Sequence, residues 1–456
     1  MSHYFGTDGF RGEAGITLTA EHAYRIGRFL AWHYSDEGEG HARIVIGRDT
    51  RRSGHMLECA LVAGLTASGA DAYLLHVTTT PGVSFVAAGE HFDCGVMISA
   101  SHNPYNDNGI KLVNARGEKM EEETIEKLEA YLDGGYPLPH GMADLPFAHG
   151  ERIGRVFDHA EGQNRYIRYL MSLADHDYKP FRVGLDCANG SASAIAPGVF
   201  EALGAETHVI HAAPSGLNIN REAGSTHIEA LTRLVREKGL DIGFAFDGDA
   251  DRCLAVDERG EVVNGDHILY LLACDKKRRG LLTGNTVVTT VMSNLGLYRA
   301  LEEVGIRYTQ TKVGDKYVYE EMQKGGYAIG GEQSGHIILG EYATKGDGIL
   351  TAICLMEVMA EGKQPLSRLT APVKMYPQVL KNLRVTDKAA VREHAAVQAE
   401  VERIRAALGS RGRILLRESG TEPVIRVMVE ADTPQACEAY ADAVLEKISA
   451  LGLAEV

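Results

Sequence analysis

The chain lacks any apolar run long enough to cross a bilayer, any cysteine pair spaced C-x-x-C, and any basic stripe of the kind that tracks a nucleic-acid backbone. Each absence removes a class of function. Without an apolar span, no membrane partner is expected. The net charge of −15 argues against nucleic acid, and the short cluster Lys276-Lys-Arg-Arg279 reads as a solvated helix end. An anionic ligand would therefore have to find its cations locally. Seven cysteines, an odd number, do not make a disulfide framework. Most sit in apolar surroundings, as Cys94 does in Asp93-Cys-Gly-Val-Met-Ile98, where cysteine acts as a small core residue. The segment Met1-Ser-His-Tyr-Phe-Gly6 has no basic stretch leading into an apolar one, so a cytoplasmic protein is expected. Two catalytic signatures are also missing. Without G-x-x-x-x-G-K-[ST], a phosphoryl donor is not a nucleotide in a P-loop. Without G-x-S-x-G, an acyl-transfer hydrolase is disfavoured.

What is present is an ordinary globular composition, 45% hydrophobic and 24% charged over 456 residues. That length exceeds one core and suggests about three or four domains. Short apolar strands alternate with helical patterns, which predicts α/β layers with largely parallel pairing. A helix is expected over Ala20–Tyr34, strands over Arg43–Ile46, Asp71–Leu75 and Cys94–Ile98, and helices over Ser53–Ser68 and Glu121–Leu132. Breakers from Asp133 to Gly141 read as a linker. Further strands are expected at Arg182–Leu185, Glu206–Ile210, Ile242–Phe246, Thr286–Thr290, Arg307–Thr311 and Ala328–Gly330. The helix Gly346–Ala360 carries the apolar stripe Ile349, Ile353, Leu355, Met356 and Met359, which reads as core. After Pro372 comes an α+β pattern with one long helix over Lys388–Leu408. The expected domains are 1–150, 151–256, 257–370 and 371–456. The first three look like variants of one architecture without a residue-level repeat.

Five polar constellations interrupt this pattern. In Asp247-Gly248-Asp249-Ala250-Asp251-Arg252, three carboxylates recur at every second position after the apolar Ile242–Phe246. Such a cluster repels itself unless a cation or a hydrogen-bond network holds it, and hard oxygen ligands favour Mg²⁺ or Ca²⁺. A solvated acidic turn is the alternative. An EF-hand is not, because Arg252 stands where that loop needs glycine and the flanks read as strands. Ser99-Ala-Ser101-His-Asn-Pro104 follows the strand Cys94–Ile98, at the strand end where such sheets bind ligands. There Ser101 could serve as a nucleophile, or the segment could be a capped turn. A serine nucleophile beside a metal site suggests phosphoryl transfer. Arg417-Glu-Ser419-Gly420-Thr421-Glu-Pro423, with Arg426, offers guanidinium groups, hydroxyls and an open backbone to a phosphate, or is a hairpin turn. In Gly330-Gly-Glu332-Gln-Ser334-Gly-His336, Glu332 and Ser334 could bind hydroxyls and His336 could move a proton. Gly6-Thr-Asp-Gly-Phe-Arg11-Gly12 could fold Arg11 toward an anion, or be an irregular lead-in.

Singly each is ambiguous, but together and in this order they resemble the α-D-phosphohexomutase family over Tyr4 to about Ala450. Supporting segments are Gly224-Ser-Thr-His227, Thr344-Lys-Gly-Asp-Gly-Ile349 and Tyr376-Pro-Gln-Val-Leu380. The pattern is departed from at Phe10 in place of Ile, Lys345 in place of a second Thr, and Glu418 in place of Pro. Glu418 adds an anion beside the proposed Arg417 clamp. The resemblance implies three α/β/α domains with mixed, largely parallel sheets plus a C-terminal α+β domain around a central cleft. It implies that Ser101 carries a phosphoryl group and that one Mg²⁺ per chain is bound by Ser101, Asp247, Asp249 and Asp251. Glucosamine 6-phosphate and glucosamine 1-phosphate would be interconverted through a bisphosphorylated sugar, with a sugar 1,6-bisphosphate as activator. Arg11, Lys111 and Arg252 would stabilise the transferring group, and Lys111 and His336 are acid/base candidates. Glu332 and Ser334 would hold sugar hydroxyls, and Arg417, Ser419, Gly420, Thr421 and Arg426 the distal phosphate. A glucose or mannose phosphate mutase, a metal-dependent sugar phosphatase and a non-catalytic sugar-phosphate sensor are the alternatives. The partner is then a small phosphosugar, and a homodimer is compatible with the family.

Overall fold

The computed structural model describes residues 4–6, 8–35, 41–138, 142–419 and 423–455. They form two compact units, one built from residues 1–292 and 306–370, the other from 293–305 and 371–456.

The first unit contains three mixed sheets of seven, five and four strands. In the seven-stranded sheet Arg43–Arg48 pairs in parallel with both Cys94–Ile98 and Asp71–Val77. Cys94–Ile98 also pairs antiparallel with Asp107–Asn114, which pairs antiparallel with Gly9–Glu13. All five residues of Cys94–Ile98 are buried, because helices cover both faces of a strand at the centre of such a sheet. The strand Val156–Asp158 closes the far edge, in parallel with Asp71–Val77. In the five-stranded sheet Ile242–Phe246 lies between Arg182–Asp186, parallel to it, and Cys253–Asp257, antiparallel. In the four-stranded sheet Thr286–Thr290 pairs in parallel with Arg307–Thr311 and Ile329–Gly331.

Helix starts follow local chemistry. The Thr19 hydroxyl accepts from the His22 backbone N–H and opens Ala20–Tyr34. Thr79 does the same for Thr80–Gly89, which has proline in its first turn. Asp347 caps Gly348–Gly362 by accepting from the Leu350 N–H at 3.0 Å. No helix among the described residues is long and apolar enough to cross a membrane.

The second unit packs a three-stranded antiparallel sheet, with Val424–Glu430 between Gln378–Arg384 and Arg413–Glu418, beside helices that include Leu295–Glu303 and Pro434–Ala450. The single helix expected over Lys388–Leu408 is two, Lys388–Glu393 and Ala395–Leu408. His394 leaves the helical conformation, and its ring nitrogen accepts from the Ala396 N–H at 3.2 Å, capping the second helix.

Candidate active site

Four loops of the first unit leave the carboxyl ends of strands: 49–51 after Arg43–Arg48, 99–104 after Cys94–Ile98, 247–252 after Ile242–Phe246, and 332–336 after Ile329–Gly331. Strand ends of this kind form the binding edge of α/β sheets. The 99–104 and 247–252 loops meet at one hydrogen bond, in which the Ser101 hydroxyl donates to Asp247 Oδ2 at 2.5 Å. Ser101 is buried and has φ of +51°, a left-handed conformation that a non-glycine residue holds only when its surroundings impose it.

Those surroundings are specific. The Ser101 N–H donates to Ser99 Oγ at 2.9 Å, and the Ser99 hydroxyl donates to Asp49 Oδ2 at 2.7 Å. Asp49 is ion-paired at 2.8 Å with Arg51, and both side chains are fully buried. Arg51 then donates to the carbonyls of Ser101, Asn103 and Asp107 at 2.8, 2.9 and 3.0 Å, and also to that of Pro104. From the second sheet's side, Asn220 Nδ2 donates to the Ser101 and Asn103 carbonyls at 2.8 and 3.0 Å. A side chain on Gly248 would come within 2.5 Å of the Ser101 carbonyl, so the two loops touch backbone to backbone. Asp49, Arg51 and Asn220 were absent from the sequence-based candidates. A readable signal existed for the first two, because Arg48-Asp-Thr-Arg-Arg-Ser53 is a polar run directly after a buried strand.

The carboxylates of Asp247, Asp249 and Asp251 are buried, and one ligand atom from each lies within 4.8 Å of the others. Asp249 also accepts from the Thr80 hydroxyl and from Lys111 Nζ, the latter at 2.5 Å, and Lys111 reaches Asp251 at 3.4 Å. Burial raises the Asp247 carboxyl pKa well above its usual range, and Asp251 and Asp249 raise it further. Burial also works against the charge on Asp249, but Lys111, Thr80 and Arg11 together outweigh it and hold that carboxyl below the usual range. Asp249 Oδ1 and Asp251 Oδ1 are buried acceptors without a hydrogen-bond donor among the described residues. Three converging carboxylates, two with an orphaned buried oxygen, next to a serine oxygen fit a hard divalent cation.

Arg11 stands on Gly9–Glu13 opposite Gly109, which brings it beside the same loops, and pairs with Asp8 at 3.5 Å. The Arg252 backbone N–H donates to Asp247 Oδ1 at 3.2 Å, and its guanidinium lies 3.9 Å from Asp251. Lys111 is opposed by burial, yet Asp249 and Asp251 keep its pKa above the ordinary lysine value. His102, 3.3 Å from Ser101 Oγ, has a pKa lowered to about 4 by burial and by Arg252 and Arg11.

The 332–336 loop docks on the same region. Gly335 has φ of +90° and lies against the Cys253 carbonyl with no room for a Cβ, while the Cys253 N–H donates to the Gly335 carbonyl at 3.0 Å. Glu332 Oε1 accepts from the Gly314 N–H at 3.0 Å. Ser334 Oγ and His336 Nδ1 are buried and have no hydrogen-bond partner among the described residues.

In the second unit Arg417 and Arg426 sit directly opposite one another on paired strands. Like charges placed so repel unless an anion lies between them. Burial and Arg426 lower the Arg417 pKa. Arg426 donates to Ser419 Oγ at 3.3 Å, and Arg417 Nε is buried without a hydrogen-bond partner among the described residues. Glu418, expected to add an anion to this clamp, alternates to the other face of its strand and pairs with Arg392 at 2.9 Å. Gly420 and Thr421 lie outside the described residues, as does Thr7.

Known proteins agree with this architecture. The four domains of the phosphoglucomutase/phosphomannomutase family match in order: α/β/α domain I at residues 2–136, domain II at 164–260, domain III at 264–376, and the C-terminal domain at 380–447. A phosphoglucosamine mutase of Lachnospira eligens is 62% identical over 455 residues, covering 100% of both chains. Another, from Lachnoclostridium phytofermentans, is 58% identical over 98% of each. Among solved structures, a phosphoglucomutase/phosphomannomutase family protein of Burkholderia thailandensis matches with TM-score 0.79 at 24% identity, over 99% of this chain and 98% of that one. An Aspergillus fumigatus N-acetylphosphoglucosamine mutase, in complex with GlcNAc-6P and magnesium, matches with TM-score 0.68 at 18% identity, over 99% and 96%.

Proposed function

The chain belongs to the α-D-phosphohexomutase family, and from that premise we propose that it has phosphoglucosamine mutase activity, interconverting glucosamine 6-phosphate and glucosamine 1-phosphate. The observation that carries the reading is the meeting of Ser101 Oγ with Asp247 at 2.5 Å inside a buried group of three aspartates. A serine so placed can accept and return a phosphoryl group only where its charge is offset.

In this reading Ser101 is phosphorylated in the working enzyme. O1 of glucosamine 6-phosphate attacks the phosphorus, the bond from phosphorus to Ser101 Oγ breaks, and the proton leaves O1 for a nearby base. The bisphosphate turns around within the site, and its 6-phosphoryl group returns to Ser101, which releases glucosamine 1-phosphate. Asp247, Asp249, Asp251 and the seryl oxygen would hold one Mg²⁺ per chain, which when bound offsets charge on the phosphoryl oxygens. Arg11 and Arg252 flank the same position and stabilise the charge that spreads over the transferring group.

The two acid/base candidates divide by environment. Lys111 is kept protonated by Asp249 and Asp251, which suits it to charge stabilisation. His336, whose buried Nδ1 has no hydrogen-bond partner among the described residues, suits proton transfer. Glu332 and Ser334 share its loop and would hold sugar hydroxyls. In the second unit Arg417, Ser419 and Arg426, together with Gly420 and Thr421, would hold the phosphate that is not being transferred.

A sugar 1,6-bisphosphate would prime the serine. The setting is cytoplasmic amino-sugar metabolism toward cell-wall precursors, with neither nucleic acid nor membrane as partner and with a homodimer as the assembly. The experiment is the relative kcat/KM for glucosamine 6-phosphate, glucose 6-phosphate and mannose 6-phosphate, with Mg²⁺ and a bisphosphate primer. Preference for the amino sugar supports the reading. Preference for another hexose keeps the mechanism and changes the substrate, and release of inorganic phosphate without sugar 1-phosphate overturns the mutase.

A further inference from the structure

The loop 247–252 that carries the three aspartates is held from two sides by helix starts. On one side the Thr80 N–H donates to the Asp249 carbonyl at 3.0 Å, and the Thr80 hydroxyl donates to Asp249 Oδ2. On the other the Gly348 N–H donates to the Ala250 carbonyl at 2.9 Å, and the Arg252 carbonyl leaves Gly348 no room for a Cβ. Between these contacts Ala250 is fully buried and has φ of +55°, a left-handed conformation that its surroundings impose. The direction of the three carboxylates therefore depends on where the helices Thr80–Gly89 and Gly348–Gly362 begin.

A third helix, Ala160–Ser172, joins those two starts through one side chain. Tyr166 is 1% exposed. Its hydroxyl donates at 2.8 Å to Oδ2 of Asp347, the residue whose Oδ1 caps Gly348–Gly362. Its ring lies on the first turn of Thr80–Gly89, where a Cβ on Gly82 would come within 3.2 Å of Tyr166 Cδ1. The Gly82 N–H donates at 3.0 Å to the Thr79 hydroxyl that caps this helix, so the ring rests on the capped turn. A phenylalanine would fill the same volume; what the hydroxyl adds is a fixed link to Asp347. Tyr169, on the same helix, stacks on Phe85 with ring centroids 4.7 Å apart and donates to the Tyr342 carbonyl at 3.0 Å. The helix therefore keeps its seat when the Tyr166 hydroxyl is removed.

We propose that Tyr166 is a positioning residue for the metal: it fixes the two helix starts relative to each other and so keeps Asp247, Asp249 and Asp251 converged. The inference rests on the proposal that those aspartates bind Mg²⁺. Residues that orient metal ligands from behind change metal affinity by about 10–100-fold when they are replaced.

The test is calorimetric titration of Mg²⁺ into the full-length protein stripped of divalent cations, as wild type, Tyr166→Phe, Asp347→Ser and the double variant. Serine keeps a cap for the Leu350 N–H but is too short to reach Tyr166. Tyr166→Phe should bind Mg²⁺ about tenfold more weakly, while kcat and substrate KM at saturating Mg²⁺ stay within about twofold of wild type. In the Asp347→Ser background the same change should have no further effect, because the link is already cut. Unchanged Mg²⁺ affinity in Tyr166→Phe, with or without a lower melting temperature, overturns the positioning role and leaves a structural one. An equal loss of affinity in both backgrounds overturns Asp347 as the route. Absence of Mg²⁺ binding by the wild type overturns the metal site itself, a failure distinct from wild-type binding that Tyr166→Phe leaves intact.

Discussion

Replacing Arg51 with Met tests the most heavily bonded support of the Ser101 loop. Arg51 and Asp49 are fully buried and 2.8 Å apart, so the substitution strands a carboxylate that keeps only the Ser99 hydroxyl and the backbone N–H of residue 51. Burial already pushes the Asp49 pKa up against the opposing effect of Arg51. Removing one partner of a buried ion pair costs about 3–5 kcal/mol. Asn220 would still serve the carbonyls of Ser101 and Asn103, but those of Pro104 and Asp107 would lose the guanidinium. The expected loss is about 4 kcal/mol in the stability of the segment around Ser101, read by native-state hydrogen exchange over residues 96–112. Transfer from phosphorylated Ser101 should fall about 100-fold, because a displacement of about 1 Å has that effect on a positioned nucleophile. Adding Asp49→Asn to Arg51→Met should recover about 2 kcal/mol by removing the stranded charge. If Arg51→Met leaves both exchange and transfer within error of wild type, the cradle argument is wrong.

Ser101→Ala should abolish turnover while leaving glucosamine 6-phosphate binding within about threefold, as measured by calorimetry; normal turnover would sink the phosphoserine mechanism. Chelation of divalent cations should stop transfer, and Mg²⁺ should restore it, because the three aspartates offer only hard oxygen donors; full activity in excess chelator would refute the metal site. Burial lowers the Lys345 pKa to about 8, with Asp315 opposing and Lys111 and Lys119 reinforcing the shift. The folded pKa lies below the unfolded value of 10.5, so the destabilisation is full below pH 8 and relieved between pH 8 and 10.5. Lys345→Met should therefore exceed wild-type stability by about 3 kcal/mol at pH 7, from a shift of about 2.5 pH units at 1.36 kcal/mol each, and lose that advantage by pH 10.5. Urea unfolding at several pH values checks it, and a pH-independent difference would contradict it.

What the sequence made legible was local. Three aspartates at alternate positions and a serine after a buried strand are set by spacing within a few residues, and the structure brings Ser101 onto Asp247 across 146 positions. The supports were less legible because their partners are remote in the chain. Arg51 meets Ser101 across 50 positions and Asn220 meets it across 119; the polar run around Arg51 marks a strand end without saying what it supports, and Asn220 lies in no motif that chemistry alone would single out. The helix Thr80–Gly89 escaped notice for a related reason. It is buried on most sides, so it lacks the apolar stripe that marks a surface helix, and Thr80-Pro81-Gly82 reads as a turn. The break at His394 was hidden because a histidine in a run of helix formers gives no stop signal until its ring is seen to cap the next turn.

The overall charge and the local charge of this molecule point in opposite directions, and the difference bears on how it handles an anionic intermediate. With a net charge of −15, the chain offers a phosphosugar no attraction at long range. Beyond about 8 Å that field is screened at physiological ionic strength, so it sets no large barrier either. Attraction begins where Arg11, Lys111 and Arg252 gather around the aspartate loop and, in the second unit, where Arg417 stands opposite Arg426. Charge arranged this way does little to speed encounter and much to slow escape, because a departing dianion leaves a strongly favourable site for a weakly repulsive surround. A mutase that must turn its bisphosphate around before returning a phosphoryl group to Ser101 needs slow escape more than fast arrival.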